Sequence, residues 1–75
     1  MFKVGEKYII YKNGAIELKD KSWVRAVVEH IPEHGRFVQF RLHFVNCFGE
    51  RTSYTESFTM NELAKMMKNG EMVKA

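Results

Sequence analysis

The stretch Arg36 to Phe48, RFVQFRLHFVNCF, constrains the fold of this chain more than any other. Val38, Phe40, Leu42, Phe44 and Phe48 fall on even positions, interrupted only by Asn46, while Phe37, Gln39, Arg41, His43, Val45 and Cys47 alternate with them. A strand sends successive side chains to opposite faces, so period-two patterning predicts one apolar face pressed into a core and one mixed face turned elsewhere. No other run in the chain is as long. At 75 residues the chain is the size of one domain, 1–75, with a compact core and a modest stability margin.

Shorter signals flank this strand. Asn13-Gly14 separates two apolar runs and reads as a type I′ hairpin turn, because both central residues of that turn need positive φ. Such a turn pairs Tyr11 with Ile16 and Ile9 with Leu18 on the core face, leaving Tyr8 and Ile10 on the opposite, partly exposed side. Ser22 to Ile31 is rich in β-branched residues and ends in Pro32-Glu33-His34-Gly35, a hairpin loop with Gly35 left-handed. Two registers then compete. The loop chemistry sets Val27 opposite Phe40 and Trp23 opposite Phe44, drawing Arg25 and Glu29 onto the core face. A slip of one residue puts Val24, Ala26 and Val28 there instead and leaves Trp23 outside. The loop favours the first. Gly49-Glu50 reads as a two-residue turn into Arg51 to Phe58, which sets Val45 beside Tyr54 and His43 beside Glu56.

The C-terminal segment carries a helix signature. Thr59 is the expected N-cap, Glu62 completes a capping box, and Phe58 packs on Leu63 as a hydrophobic staple. Met60, Leu63, Ala64 and Met67 form the predicted inner face, and Gly70 after Asn69 ends the helix. Glu71 to Lys74 then reads as a short strand, with Met72 or Val73 returning to the core. The expected fold is mainly β: a strongly bent antiparallel meander of about five strands, closed as a small SH3-like β-barrel with one C-terminal helix.

The opening FKVGEKY and the closing SFTMNELAKMMKNGEM resemble the first strand and capping helix of small SH3-like modules, including short accessory proteins of bacteriophages. That resemblance implies a protein that acts by binding a larger protein or a nucleic acid and regulates a larger host complex. It implies no particular functional residue.

Spacing argues against chemistry on the chain itself. His43 and Cys47 share a strand face but stand about 13 Å apart along it, too far to ligate one ion or to form a nucleophile and base pair. His30 and His34 flank the Pro32 turn, and two ligands do not make a structural metal site. Glycine-rich phosphate loops are absent, and the acidic residues have no pairing that suggests acid–base catalysis. No catalytic residue, cofactor or metal is therefore expected, and the chain reads as a non-enzyme.

What remains is a binding surface on the mixed face, with Phe37, Gln39, Arg41 and His43 from the long strand and Tyr54 and Glu56 from the next. A protein partner is the first expectation. The alternative is nucleic acid, since Arg and aromatic side chains together serve phosphate contact and base stacking, although a net charge of +3 spread along the chain does not demand an anionic partner. Edge strands or the free helix face would also support a homodimer. With one cysteine, no leader and no apolar run approaching roughly 18 residues, no membrane partner is expected and a cytoplasmic location is.

Overall fold

Strand β1 (Lys7–Tyr11) is followed by β2 (Trp23–His30), β3 (Phe37–Val45), β4 (Arg51–Thr59), helix α1 (Met60–Lys68) and β5 (Met72–Lys74) in the computed structural model. It describes residues 2–11, 23–46 and 48–75, with Trp23 described for its backbone. The Asn13-Gly14 turn and the placement of the Trp23 side chain lie outside the described residues. All five strands form one antiparallel sheet in the order β4-β3-β2-β1-β5. The sheet is open, with β4 and β5 at its two edges and α1 packed against both.

The even face of β3 is the centre of the core, as its alternation predicts. Val38, Phe40 and Leu42 are fully buried, and Phe44 packs half-buried at the margin. Phe40 is ringed by Phe2, Tyr8 and Phe58 at centroid distances of 5.9, 6.1 and 5.7 Å, each an edge-on approach that suits aromatic quadrupoles. Phe48 departs from the expectation, being 83% exposed. The reason is Asn46. Its side-chain oxygen accepts the N–H groups of Phe48 and Glu50 at 2.9 Å each, and its own N–H donates to the Glu50 carbonyl at 2.9 Å, so the chain leaves the strand early in an Asx-type loop.

That loop replaces the expected two-residue turn at Gly49-Glu50 and shifts the β3–β4 register by three residues. Leu42 now faces Tyr54, Phe40 faces Glu56 and His43 faces Ser53. Because three is odd, the two faces of β4 are exchanged relative to expectation.

The β2–β3 register is also corrected, to the one-residue slip. Ala26 opposes Leu42, Val28 opposes Phe40 and Arg25 opposes His43, so Val24, Ala26 and Val28 are the buried set. The turn itself forms as expected, with Gly35 at φ 64° and its N–H on the Pro32 carbonyl at 3.0 Å. An irregularity between Val28 and His30 absorbs the mismatch. The physical driver is charge, because the other register would carry Arg25 and Glu29 into the core, where an ion without full compensation costs several kcal/mol.

In β1 the faces are likewise reversed. Tyr8 and Ile10 are buried at 4% and 1% exposure, Ile9 is half-buried and Tyr11 is exposed. Both edges of β1 are occupied, so Ile9 sits between Arg25 and Val73, and the expected pairing with Leu18 lies outside the described residues. A central strand takes its inward face from both neighbours, and here those present Val24, Ala26 and Met72.

Helix α1 starts as its signature predicts. Thr59 Oγ1 accepts from the Glu62 N–H at 3.1 Å and Glu62 Oε1 accepts from the Thr59 N–H at 2.9 Å, a capping box worth about 1 kcal/mol. Phe58 and Leu63 are both in the core beside it. The inner face is narrower than expected. Leu63 is buried and Met66 packs half-buried against the core, whereas Met60, Ala64 and Met67 are exposed. At the other end the Glu71 N–H reaches the Met66 carbonyl at 2.8 Å and the Gly70 N–H the Met67 carbonyl at 3.3 Å, with Gly70 at φ 76°. This Schellman closure reverses the chain and delivers Met72 into the core opposite Ile10.

One ionic knot ties β5 to the start of β1. Glu6 bonds Lys74 at 3.0 Å and also accepts from the Lys3 N–H at 2.7 Å and the Tyr8 hydroxyl at 3.2 Å. The Lys74 bond, then the Lys3 N–H, hold the Glu6 carboxyl below the usual carboxylate range; the same contact raises Lys74, while burial raises Tyr8. Glu62 is lowered by the Thr59 backbone bond. A lowered carboxyl adds stability above its unfolded pKa of about 4.3 and loses it as pH falls through the folded value. Raised Lys74 and Tyr8 add stability below their unfolded values of about 10 and lose it as pH rises through the folded ones. Urea midpoints should therefore be flat near neutrality and fall on both sides. Glu6→Gln should flatten the acid limb, leaving the part that belongs to Glu62.

Candidate functional site: the outer face of the sheet

The face opposite the core is assembled by β3 and its neighbours. Successive odd residues of β3 place Phe37, Gln39, Arg41 and His43 on it in one row. Across β2 lie Arg25 and Val27, and across β4 lie Ser53, Thr55 and Ser57. Strand alternation alone makes these residues neighbours.

Arg41 sits in the middle of the row, between Val27 and Thr55. Its guanidinium grips Glu29 in two-pronged fashion, Nε to Oε2 at 2.9 Å and Nη2 to Oε1 at 3.2 Å, and Nη1 reaches Ser53 Oγ at 3.3 Å. Both side chains are more than a third exposed, so the pair adds a fraction of a kcal/mol to about 1 kcal/mol of stability. Its larger effect is on charge, since the carboxylate cancels the arginine's field where a phosphate would have to approach.

His43 is exposed and stands between Arg25 and Ser53. Gln39 is half-buried between His30 and Ser57. Phe37 is half-buried opposite Thr59, its ring 5.2 Å from that of His34. A shallow depression of about 320 Å³ opens beside this row, lined by Val4, Val27, Glu29, Arg41 and His43 among others.

No known family, curated protein or solved structure matches this chain.

Four of the six residues expected to share a surface therefore do so. Tyr54 and Glu56 do not. The β3–β4 register turns both toward the core side, where Tyr54 packs half-buried with its ring 5.6 Å from Phe44 and Glu56 lies opposite Phe40. The expected His43 and Glu56 cross-strand pair is accordingly replaced by His43 opposite Ser53.

Arg25, Val27 and Glu29 also belong to this face, whereas the register favoured by the loop draws them onto the core side. Their signal was present in the alternation of Val24, Ala26 and Val28, whose apolar parity puts the odd residues of β2 outside. Among the described residues there is no cluster of three or more His, Cys, Asp and Glu side chains placed to hold a metal, and no helix is long and apolar enough to cross a membrane. The face combines apolar side chains with an internally satisfied ion pair.

Proposed function

We propose that the chain is a small non-enzymatic binding module that docks a protein partner on the outer sheet face, around Val27, Arg41, His43 and the exposed Val45. The observation that carries this reading is the clamp of Glu29 on Arg41. It removes the central cation from phosphate recognition while keeping a planar guanidinium beside half-buried apolar side chains, and arginine with aromatic and aliphatic neighbours is the composition of protein interfaces. An SH3-like barrel in a cytoplasmic accessory protein that regulates a larger complex is the finer form of this proposal. It is supported by the meander β1 to β4 and by a helix that returns the chain to pair β5 with β1.

The test is affinity capture from a nuclease-treated lysate, comparing the native chain with a Val27→Glu, Val45→Glu double variant of unchanged melting temperature. A partner held at moderate salt by the native chain and lost by the variant supports the reading. Capture of nothing by the native chain ends it.

A second reading, single-stranded nucleic acid, is favoured by one observation: Arg25 stands directly opposite His43, and both are exposed. It predicts oligonucleotide affinity that falls steeply with added salt and weakens in Arg25→Ala and Arg41→Ala. Absence of binding at low salt removes it.

A further inference from the structure

Among the described residues no strand pairs with the outer edge of β4, a strand-pairing surface whose occupant can be argued from its hydrogen-bond phase and its charges. Asn46 donates to the Glu50 carbonyl at 2.9 Å at one end of the β3–β4 ladder, and Met60 donates to the Arg36 carbonyl at 3.1 Å at the other. Antiparallel ladders alternate bonded and non-bonded pairs, so these two contacts assign the bonded pairs to the even residues of β4. The peptide groups of Arg51, Ser53, Thr55, Ser57 and Thr59 consequently point away from the sheet.

Several common edge-protecting devices are absent from β4. Its nine residues, RTSYTESFT, hold no proline and no lysine, pair with β3 without a bulge, and carry small hydroxylated side chains at Ser53, Thr55 and Ser57. Proteins ordinarily blunt such edges with those devices. The other edge, β5, is three residues long and ends in Lys74.

The two ends of the β4 edge are oppositely charged. Arg51 marks one. At the other, the outward N–H of Thr59 is bonded to Glu62 Oε1, which places that carboxylate on the edge itself. An edge with a cation at its start and an anion at its end is complementary to its own antiparallel copy.

We propose that β4 pairs with β4 of a second copy of this chain about a twofold axis at Thr55, joining two sheets into one. In this register Thr55 pairs with Thr55 and Ser53 with Ser57, each pair exchanging both N–H···O bonds, and Arg51 of each copy comes opposite Thr59 beside the Glu62 carboxylate of the other. Glu56 lies opposite Tyr54. Moving the axis one residue, to Glu56, would instead set two carboxylates against each other.

Sedimentation equilibrium of the native chain should show a concentration-dependent dimer. Thr55→Lys, which places like charges on the axis, should weaken it by about tenfold, and Thr55→Pro should abolish it while leaving the monomer folded, since the Thr55 N–H does not bond β3. In a Cys47→Ser background, Thr55→Cys should oxidise to a crosslinked dimer, the paired Cα atoms being about 5.5 Å apart and within disulfide reach. Ser57→Cys should not, because its own copy lies about 13 Å along the strand. The cysteine pair decides the matter if Thr55→Pro fails to fold. A strictly monomeric native chain, a dimer that survives in folded Thr55→Pro, or crosslinking of Ser57→Cys as fast as Thr55→Cys would overturn the proposal.

Discussion

Phe40→Ala should cost about 3–5 kcal/mol of unfolding free energy, enough to leave a domain of this size largely unfolded at ambient temperature. Phe40 is fully buried, and three aromatic rings converge on it from the N-terminal segment, β1 and β4. Truncation would open a cavity bordered by β1 and β4, which are held in the same sheet and cannot collapse into it independently. Phe40→Leu should cost about 1 kcal/mol, since most of the apolar volume is retained. Phe48→Ala provides the contrast. A side chain 83% exposed in the β3–β4 loop should change stability by less than about 0.5 kcal/mol. Urea denaturation of the three variants checks the ordering, and comparable losses for Phe40→Ala and Phe48→Ala would contradict this description of the core.

Leu63→Ala should also be strongly damaging, at about 2–4 kcal/mol. The helix presents one fully buried residue, Leu63, with Met66 packed half-buried beside it. Losing Leu63 loosens α1 from the sheet, and because α1 delivers Met72 to the core opposite Ile10, β5 is released with it. Met67→Ala, on the exposed side of the same helix, should stay within about 0.5 kcal/mol. Circular dichroism melts read the difference. If the two variants melted together, the helix would be rotated from the orientation described.

Local signals in this sequence are legible where a single residue type determines the backbone. The capping box at Thr59 and Glu62, the left-handed Gly35 and Gly70, and the buried even positions of β3 from Val38 to Leu42 all follow from chemistry within a few residues. Registers did not follow, for a specific reason. Face assignment changes with every added residue, so one Asx loop at Asn46 and one irregularity near Glu29 were enough to exchange the faces of β4 and β2. Tyr54 and Glu56 left the candidate surface through the first of these, and Arg25, Val27 and Glu29 joined it through the second. Parity in β1 depended on β5, a partner more than sixty residues away in sequence, and no local pattern carries that information.

Both the proposed docking face and the proposed pairing edge of β4 depend on the β3–β4 register, which is measured most directly by Hα–Hα nuclear Overhauser effects. Opposed residues of non-bonded antiparallel pairs have Cα atoms about 4.5 Å apart and give strong cross-peaks. The structure predicts such peaks between Arg41 and Thr55 and between His43 and Ser53. Peaks joining Val45 to Tyr54 and His43 to Glu56 would contradict it, and would return Tyr54 and Glu56 to the face from which the loop at Asn46 removes them.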